Sequence, residues 1–265
     1  VIILWNRIVI EYIGKHVMKL KDKVAIVTGG AGSIGQAIGR QLASEGAIIA
    51  VVDLNMEQAQ LVADQLIQTG AKAIAVQVDV RDRESVKRMV KAVLDQCGSV
   101  DILVNNAGGS ARSECSLFHE SKDEVVQRIL EINLMGPIYC IRAVVEHMVQ
   151  KRSGKIINIG SIVGMQGLPR CADYSAAKGG IIAFTKSIAM ELGEFGINVN
   201  CVSPGLVPRP DQDAQAMRKT NYLNAICSQD DVANVVRFLV SDDAKFVTGQ
   251  NYVVDGGRSL GLTKK

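Results

Sequence analysis

From Lys23 onward the chain alternates short apolar runs with longer segments whose apolar residues recur at helical spacing. The runs at 24–27, 48–52, 73–78, 102–104, 155–159, 199–202 and 252–254 predict strands. The segments between them predict helices over about 33–45, 56–69, 82–96, 123–150, 173–194 and 229–240. Regular alternation of this kind signals repeated βαβ units. The expected fold is therefore a single α/β domain over residues 18–265, a doubly wound parallel sheet of about seven strands with helices on both faces. No linker, internal repeat or low-complexity tract divides it. The Pro-rich piece at 204–210 reads as a loop inside the domain, and the polar segment after it carries no readable pattern.

Residues 1–17 open on Val1-Ile2-Ile3-Leu4-Trp5, but Arg7, Glu11 and Lys15 interrupt them before a membrane-spanning length is reached. No cleavable signal architecture is present, and Met18 directly precedes the lead-in to the first strand. The segment reads as an N-terminal extension, loosely packed or used in association; an amphipathic helix on a membrane surface is the rival reading. At 265 residues and 48% hydrophobic composition the chain can bury the core of one such domain. Its 30 basic and 27 acidic residues are interspersed, so no nucleic-acid footprint is present and a small-molecule partner is favoured. Six cysteines at wide spacings, with no C-x-x-C, and His16, His119 and His147 make no metal or disulfide framework. Such cysteines are expected to pack as small reduced hydrophobes in a cytoplasmic protein.

Chemistry enters with the glycines. Thr28-Gly29-Gly30-Ala31-Gly32-Ser33-Ile34-Gly35 follows the first strand and opens the first helix, and Gly30, Gly32 and Gly35 satisfy G-x-G-x-x-G. Backbone amides there can approach a pyrophosphate at a helix N-terminus, the Rossmann arrangement. Asp53, eighteen residues beyond Gly35, ends the second apolar run, where a carboxylate accepts the adenosine ribose hydroxyls. It would repel the 2′-phosphate of NADP, and neither the glycine loop nor Leu54-Asn55 offers an Arg or Lys to hold one, so NAD is the expected cofactor.

Tyr174 and Lys178 are four residues apart on a predicted helix and share a face. A phenol with a pKa of about 10 needs roughly 4 kcal/mol of differential stabilisation to titrate near 7, part of which a neighbouring ammonium supplies. Tyr174 is thus a candidate general acid/base. Ser161, thirteen residues earlier, follows the run ending at Ile159-Gly160 and is expected at the carboxyl edge of the sheet, where open α/β sheets bind ligands.

The glycine loop, Asp53, Ser161 and Tyr174-x-x-x-Lys178, in this order, resemble the short-chain dehydrogenase/reductase family from about Leu20 to Gly261. Further matches are Asp79-Val80, Asn105-Asn106-Ala107-Gly108, Asn133, Pro204-Gly205 and Val254-Asp255-Gly256-Gly257. The resemblance implies that Gly29, Gly30, Gly32, Ser33, Ile34, Gly35, Asp53 and Leu54 surround the dinucleotide, that Asp79 and Val80 hold the adenine, and that Asn106, Ala107 and Gly108 pack near the adenosine ribose. It implies a catalytic set in which Asn133 distorts its helix and holds a water, Ser161 polarises the substrate oxygen, Tyr174 exchanges the proton and Lys178 binds the nicotinamide ribose. Pro204, Gly205 and Val207 would pack at the nicotinamide end. The chain departs from the family pattern at Ser33, where a glycine is usual, at Gly160, where a second serine is common, and at Pro208-Arg209-Pro210, where a threonine often follows the Pro-Gly.

The expected reaction is reversible hydride transfer between NAD and a secondary alcohol or ketone. Reduction of a 3-oxoacyl thioester is an alternative against which Asp53 argues, because biosynthetic reduction usually uses NADPH, and a cofactor-binding scaffold without catalysis is a third reading. Segments 109–122 and 206–227 are the expected specificity regions, with Arg112, Ser113, His119 and Arg209 as open candidates. By resemblance, association into a homotetramer or dimer is expected through the helices beginning near Asp123 and Asp173.

Overall fold

Seven parallel strands, β1 (Val24–Thr28), β2 (Ile48–Asp53), β3 (Ala73–Gln77), β4 (Ile102–Asn105), β5 (Gly154–Ile159), β6 (Ile197–Pro204) and β7 (Asn251–Val254), form one sheet ordered β3-β2-β1-β4-β5-β6-β7. The computed structural model describes residues 18–110, 114–208 and 213–261. The expected extension at 1–17 lies outside these, as do Arg112, Ser113, Arg209 and Pro210.

Successive strand side chains point to opposite faces, and the core divides accordingly. Ala25, Val27, Ile49 and Val51 pack with α1 (Ser33–Ser44), α2 (Met56–Gln68) and α9 (Gln229–Val240). Val24, Ile26, Ala50 and Val52 pack on the other face with α3 (Arg83–Cys97), α5 (Gly136–Lys151) and the end of α7 (Ala172–Leu192). The strands are covered on both sides, which is why they read as runs rather than as alternations.

Local sequence sets the helix ends. Asn55, Asp82 and Ser228 accept hydrogen bonds from first-turn amides of α2, α3 and α9, and Gly98, at φ 75°, closes α3 in the left-handed conformation. At α1 the capping position is Gly32, and no side chain caps the first turn. Its orphan N–H groups face the carboxyl edge of the sheet.

The single helix expected over 123–150 is corrected to three pieces: α4 (Asp123–Leu130), a π-helical turn (Glu131–Met135) and α5. The cause is Asn133, whose Nδ2 donates to the Ile129 and Gly109 carbonyls at 2.9 Å and whose Oδ1 accepts from the Gly109 amide at 3.1 Å. A side chain clamped to another loop widens the helix by one residue. β6 is longer at both ends than the expected 199–202, since Ile197 pairs with Gly154 and Pro204 with Val254. The unpatterned segment after 206 contains α8 (Ala214–Met217) and a 3₁₀ turn (Arg218–Thr220). Between β5 and α7 lies a further short helix, α6 (Val163–Gln166).

Candidate active site

Every strand delivers residues at its carboxyl end to one cleft of about 810 Å³. Gly29 comes from β1, Asp53 from β2, Asp79 and Val80 from β3, Asn106, Ala107 and Gly108 from β4, Ser161 from β5, Pro204, Gly205 and Val207 from β6, and Arg258 from beyond β7. Gly32, Ser33, Ile34, Leu54, Tyr174 and Lys178 complete the expected lining. Gly30, Gly35 and Asn133 are not among the lining residues.

The glycine loop is built by close approach. A Cβ on Gly35 would lie 2.2 Å from the Gly29 carbonyl oxygen, and one on Gly30 would lie 2.9 Å from that of Val27, so both glycines let the turn fold onto the sheet. Gly29 has φ +61° and sits against Ala107. The turn after β4 is tied to it: Asn106 Nδ2 donates to the Thr28 and Gly29 carbonyls, and the amides of Asn106 and Ala107 donate to Thr28 Oγ1. Uncapped amides at the start of α1 beside this turn suit a pyrophosphate, so the residues present fit a dinucleotide.

At the β2 end, Asp53 accepts the Ala31 amide on Oδ2 and the Asn55 amide on Oδ1, each at 3.1 Å, which holds the carboxylate against the glycine loop. Beside it Asp79 is gripped bidentately by Arg81, with Nη2 to Oδ2 at 2.6 Å and Nε to Oδ1 at 2.9 Å. The Arg81 hydrogen bonds hold the Asp79 carboxyl below the usual carboxylate range.

At the other end, α7 carries Tyr174 and Lys178 on one face. Lys178 is 4% exposed, and its Nζ donates to the Ile159 carbonyl at the end of β5 at 2.7 Å. The same Nζ lies 5.7 Å from the centre of the Tyr174 ring. Burial pulls the Lys178 pKa down from 10.5 to about 8, partly opposed by the Cys201 thiol. Ser161 is buried beside them, and its Oγ accepts the Val163 amide at 3.2 Å. Gly108 stands between Asn133 and Lys178: a Cβ there would be 2.6 Å from Asn133 Oδ1 and 3.4 Å from Lys178 Nζ. The departure at Gly160 has a steric reason, because a Cβ would come within 2.5 Å of Ser203 Oγ.

Motif reasoning missed several lining residues. Arg81, two positions past Asp79, and Cys171, three before Tyr174, were within reach of it; Gln166, Leu168 and Arg258 enter only through the fold. His119 is not among the lining residues, and its side chain is 78% exposed. Among the described residues no group of three or more His, Cys, Asp or Glu could hold a metal ion, and no helix is long and apolar enough to cross a membrane.

Comparison with known proteins agrees with this architecture. A family model described as Enoyl-(Acyl carrier protein) reductase matches residues 29–259. The chain is 40% identical over 242 residues to the 3-oxoacyl-[acyl-carrier-protein] reductase FabG of Staphylococcus aureus, covering 89% of this chain and 97% of that one. It is 35% identical over 249 residues to the (2S)-[(R)-hydroxy(phenyl)methyl]succinyl-CoA dehydrogenase subunit BbsD of Thauera aromatica, covering 92% and 99%. Among solved structures, an NAD+-bound xylitol dehydrogenase superposes with a TM-score of 0.85 at 30% identity, covering 90% of this chain and 100% of that chain. With the cleft, the glycine loop and these relatives in agreement, the chain belongs to the short-chain dehydrogenase/reductase family of oxidoreductases.

Proposed function

We propose that this oxidoreductase interconverts a secondary alcohol and a ketone with NAD, using Tyr174 as the acid/base. The observation that carries the reading is that Ser161, Tyr174 and Lys178 line the same cleft as the glycine loop and Asp53. A nicotinamide bound there supplies the hydride acceptor in oxidation and the donor in reduction. Tyr174, as phenolate, takes the hydroxyl proton of the alcohol and returns it in the reverse direction. Lys178, protonated below its pKa of about 8, favours that phenolate, while Ile159 holds the ammonium in place. Ser161 donates to the substrate oxygen; loss of a donor of this type costs roughly 3 kcal/mol of transition-state stabilisation. Asn133, whose side chain widens the helix behind Gly108, steadies the turn next to Lys178.

NAD is favoured because a carboxylate, Asp53, stands at the end of β2, and the cation at that end of the cleft, Arg81, is already engaged by Asp79. The NAD+-bound xylitol dehydrogenase among the relatives supports this. The kinship with FabG and with the succinyl-CoA dehydrogenase subunit favours a second reading, in which the substrate is a 3-oxoacyl or hydroxyacyl thioester. We further propose self-association through α4, α5 and α7, to be measured by light scattering.

The test is kcat/KM over a panel of secondary alcohols, ketones and acyl thioesters with NAD(H) and NADP(H). Turnover of simple alcohols with NAD supports the first reading; turnover confined to thioesters with NADPH overturns it in favour of the second. Tyr174→Phe should lower kcat by at least about 10³-fold and leave cofactor affinity within a few-fold. Near-normal turnover in that variant would remove Tyr174 from the acid/base role.

A further inference from the structure

Two cysteines that are 56 positions apart meet at the rim of the cleft, with Cys115 Sγ 3.2 Å from Cys171 Sγ. Cys171 is the residue on which α7 begins, three before Tyr174, and it lines the cleft. Cys115 lies in irregular backbone at 115–117, just before the 3₁₀ turn Phe118–Glu120, and its sulfur contacts the Ser110 carbonyl at 3.7 Å. Ser110 lines the same cleft. We propose that Cys115 and Cys171 form an oxidisable dithiol site, and that their disulfide pins the 115–122 segment to the start of the catalytic helix and slows turnover.

The separation of the two sulfurs is close to what the bond needs. A disulfide requires its sulfurs at about 2.05 Å, so they must close by roughly 1 Å, which the irregular backbone at 115–117 can supply. The reactive form of a cysteine is the thiolate. Cys171 stands at the N-cap position of a 21-residue helix and, though 7% exposed, lines the cleft. The competing cysteines are poorer candidates. Burial pushes the Cys140 thiol up to about 12 and the Cys201 and Cys227 thiols up to about 11, and it raises that of Cys97.

With hydrogen peroxide as oxidant the chemistry balances. The Cys171 thiolate attacks one peroxide oxygen, the O–O bond breaks, and sulfenic acid and hydroxide form. The Cys115 thiol then attacks that sulfur: the S–S bond forms, the S–O bond breaks and water leaves. Hydroxide takes the proton that Cys171 had released. In sum two thiols and one peroxide become a disulfide and two waters, with two electrons passing from sulfur to oxygen. The link joins the backbone at Cys115, whose sulfur contacts Ser110 at the cleft, to the helix that bears Tyr174 and Lys178, so neither can shift alone when substrate enters.

The full chain, reduced and then treated with hydrogen peroxide, is alkylated, digested without reduction and mapped by mass spectrometry beside Cys115→Ser. The expected result is a Cys115–Cys171 cross-link, loss of two of the six thiols, and a several-fold fall in turnover that dithiothreitol reverses. Cys115→Ser should keep the reduced-state activity, form no link and keep its turnover after peroxide. Survival of all six thiols, a link between other cysteines, or a linked protein that turns over at the reduced rate would overturn the proposal. The mapping needs no substrate, so the site is judged even where the alcohol reading above fails.

Discussion

Replacing Lys178 by Met should stabilise the fold while removing activity, and the size of the gain should depend on pH. Lys178 is almost fully buried, and burial lowers its pKa from 10.5 to about 8. A lysine depressed in the native state is bound more tightly to its proton in the unfolded chain. Native stability therefore carries the full penalty below pH 8 and recovers it as the pH rises toward 10.5. The shift corresponds to ~3 kcal/mol at pH 7 and ~1 kcal/mol at pH 10. Methionine fills a similar volume without a charge but forfeits the hydrogen bond to Ile159, worth ~1 kcal/mol. The variant should thus be more stable than the parent by about 2 kcal/mol at pH 7 and about equal to it at pH 10. Urea denaturation of both proteins at the two pH values, without cofactor and under reductant, measures this. Titrating groups remote from Lys178 are common to both proteins and cancel in the difference, leaving Lys178 and the Tyr174 and Cys201 groups beside it. A stability difference that stays constant from pH 7 to pH 10, or a less stable variant at pH 7, would refute the idea that the site keeps its ammonium at the expense of the fold.

Gly108→Ala should place a methyl group against Asn133 Oδ1 and Lys178 Nζ; overpacking of this kind costs ~1–3 kcal/mol, and kcat should fall more than about tenfold as the two side chains are displaced, which a thermal melt and steady-state kinetics would check. Arg237→Ala removes the guanidinium 2.7 Å from the buried Glu45 carboxylate and should cost about 2 kcal/mol in urea denaturation, an effect that Arg237→Lys should partly restore. Asp53→Asn removes the charge but keeps an acceptor for the Ala31 and Asn55 amides; the ratio of kcat/KM for NAD to that for NADP should fall by about tenfold or more, and an unchanged ratio would place cofactor selection elsewhere.

The apolar runs and their order were enough to read the sheet, because strands buried on both faces leave no polar positions to blur them and parallel strands need helices between them. The local motifs were equally legible. A glycine turn before a helix, or a Tyr and a Lys one turn apart, are short-range arrangements that spacing alone specifies. Contacts between distant segments were not legible. Asn133 widens its helix because Gly109, on another loop, offers both an amide and a carbonyl; periodicity over 123–150 could not reveal the break, which only the family resemblance pointed to. Arg81, Gln166 and Arg258 share one cleft because three strands end at the same edge of the sheet. The low pKa of Lys178 and the meeting of Cys115 with Cys171 have the same origin. Burial and proximity are properties of the packed chain, and only its closure into layers brings such residues out of water and into contact.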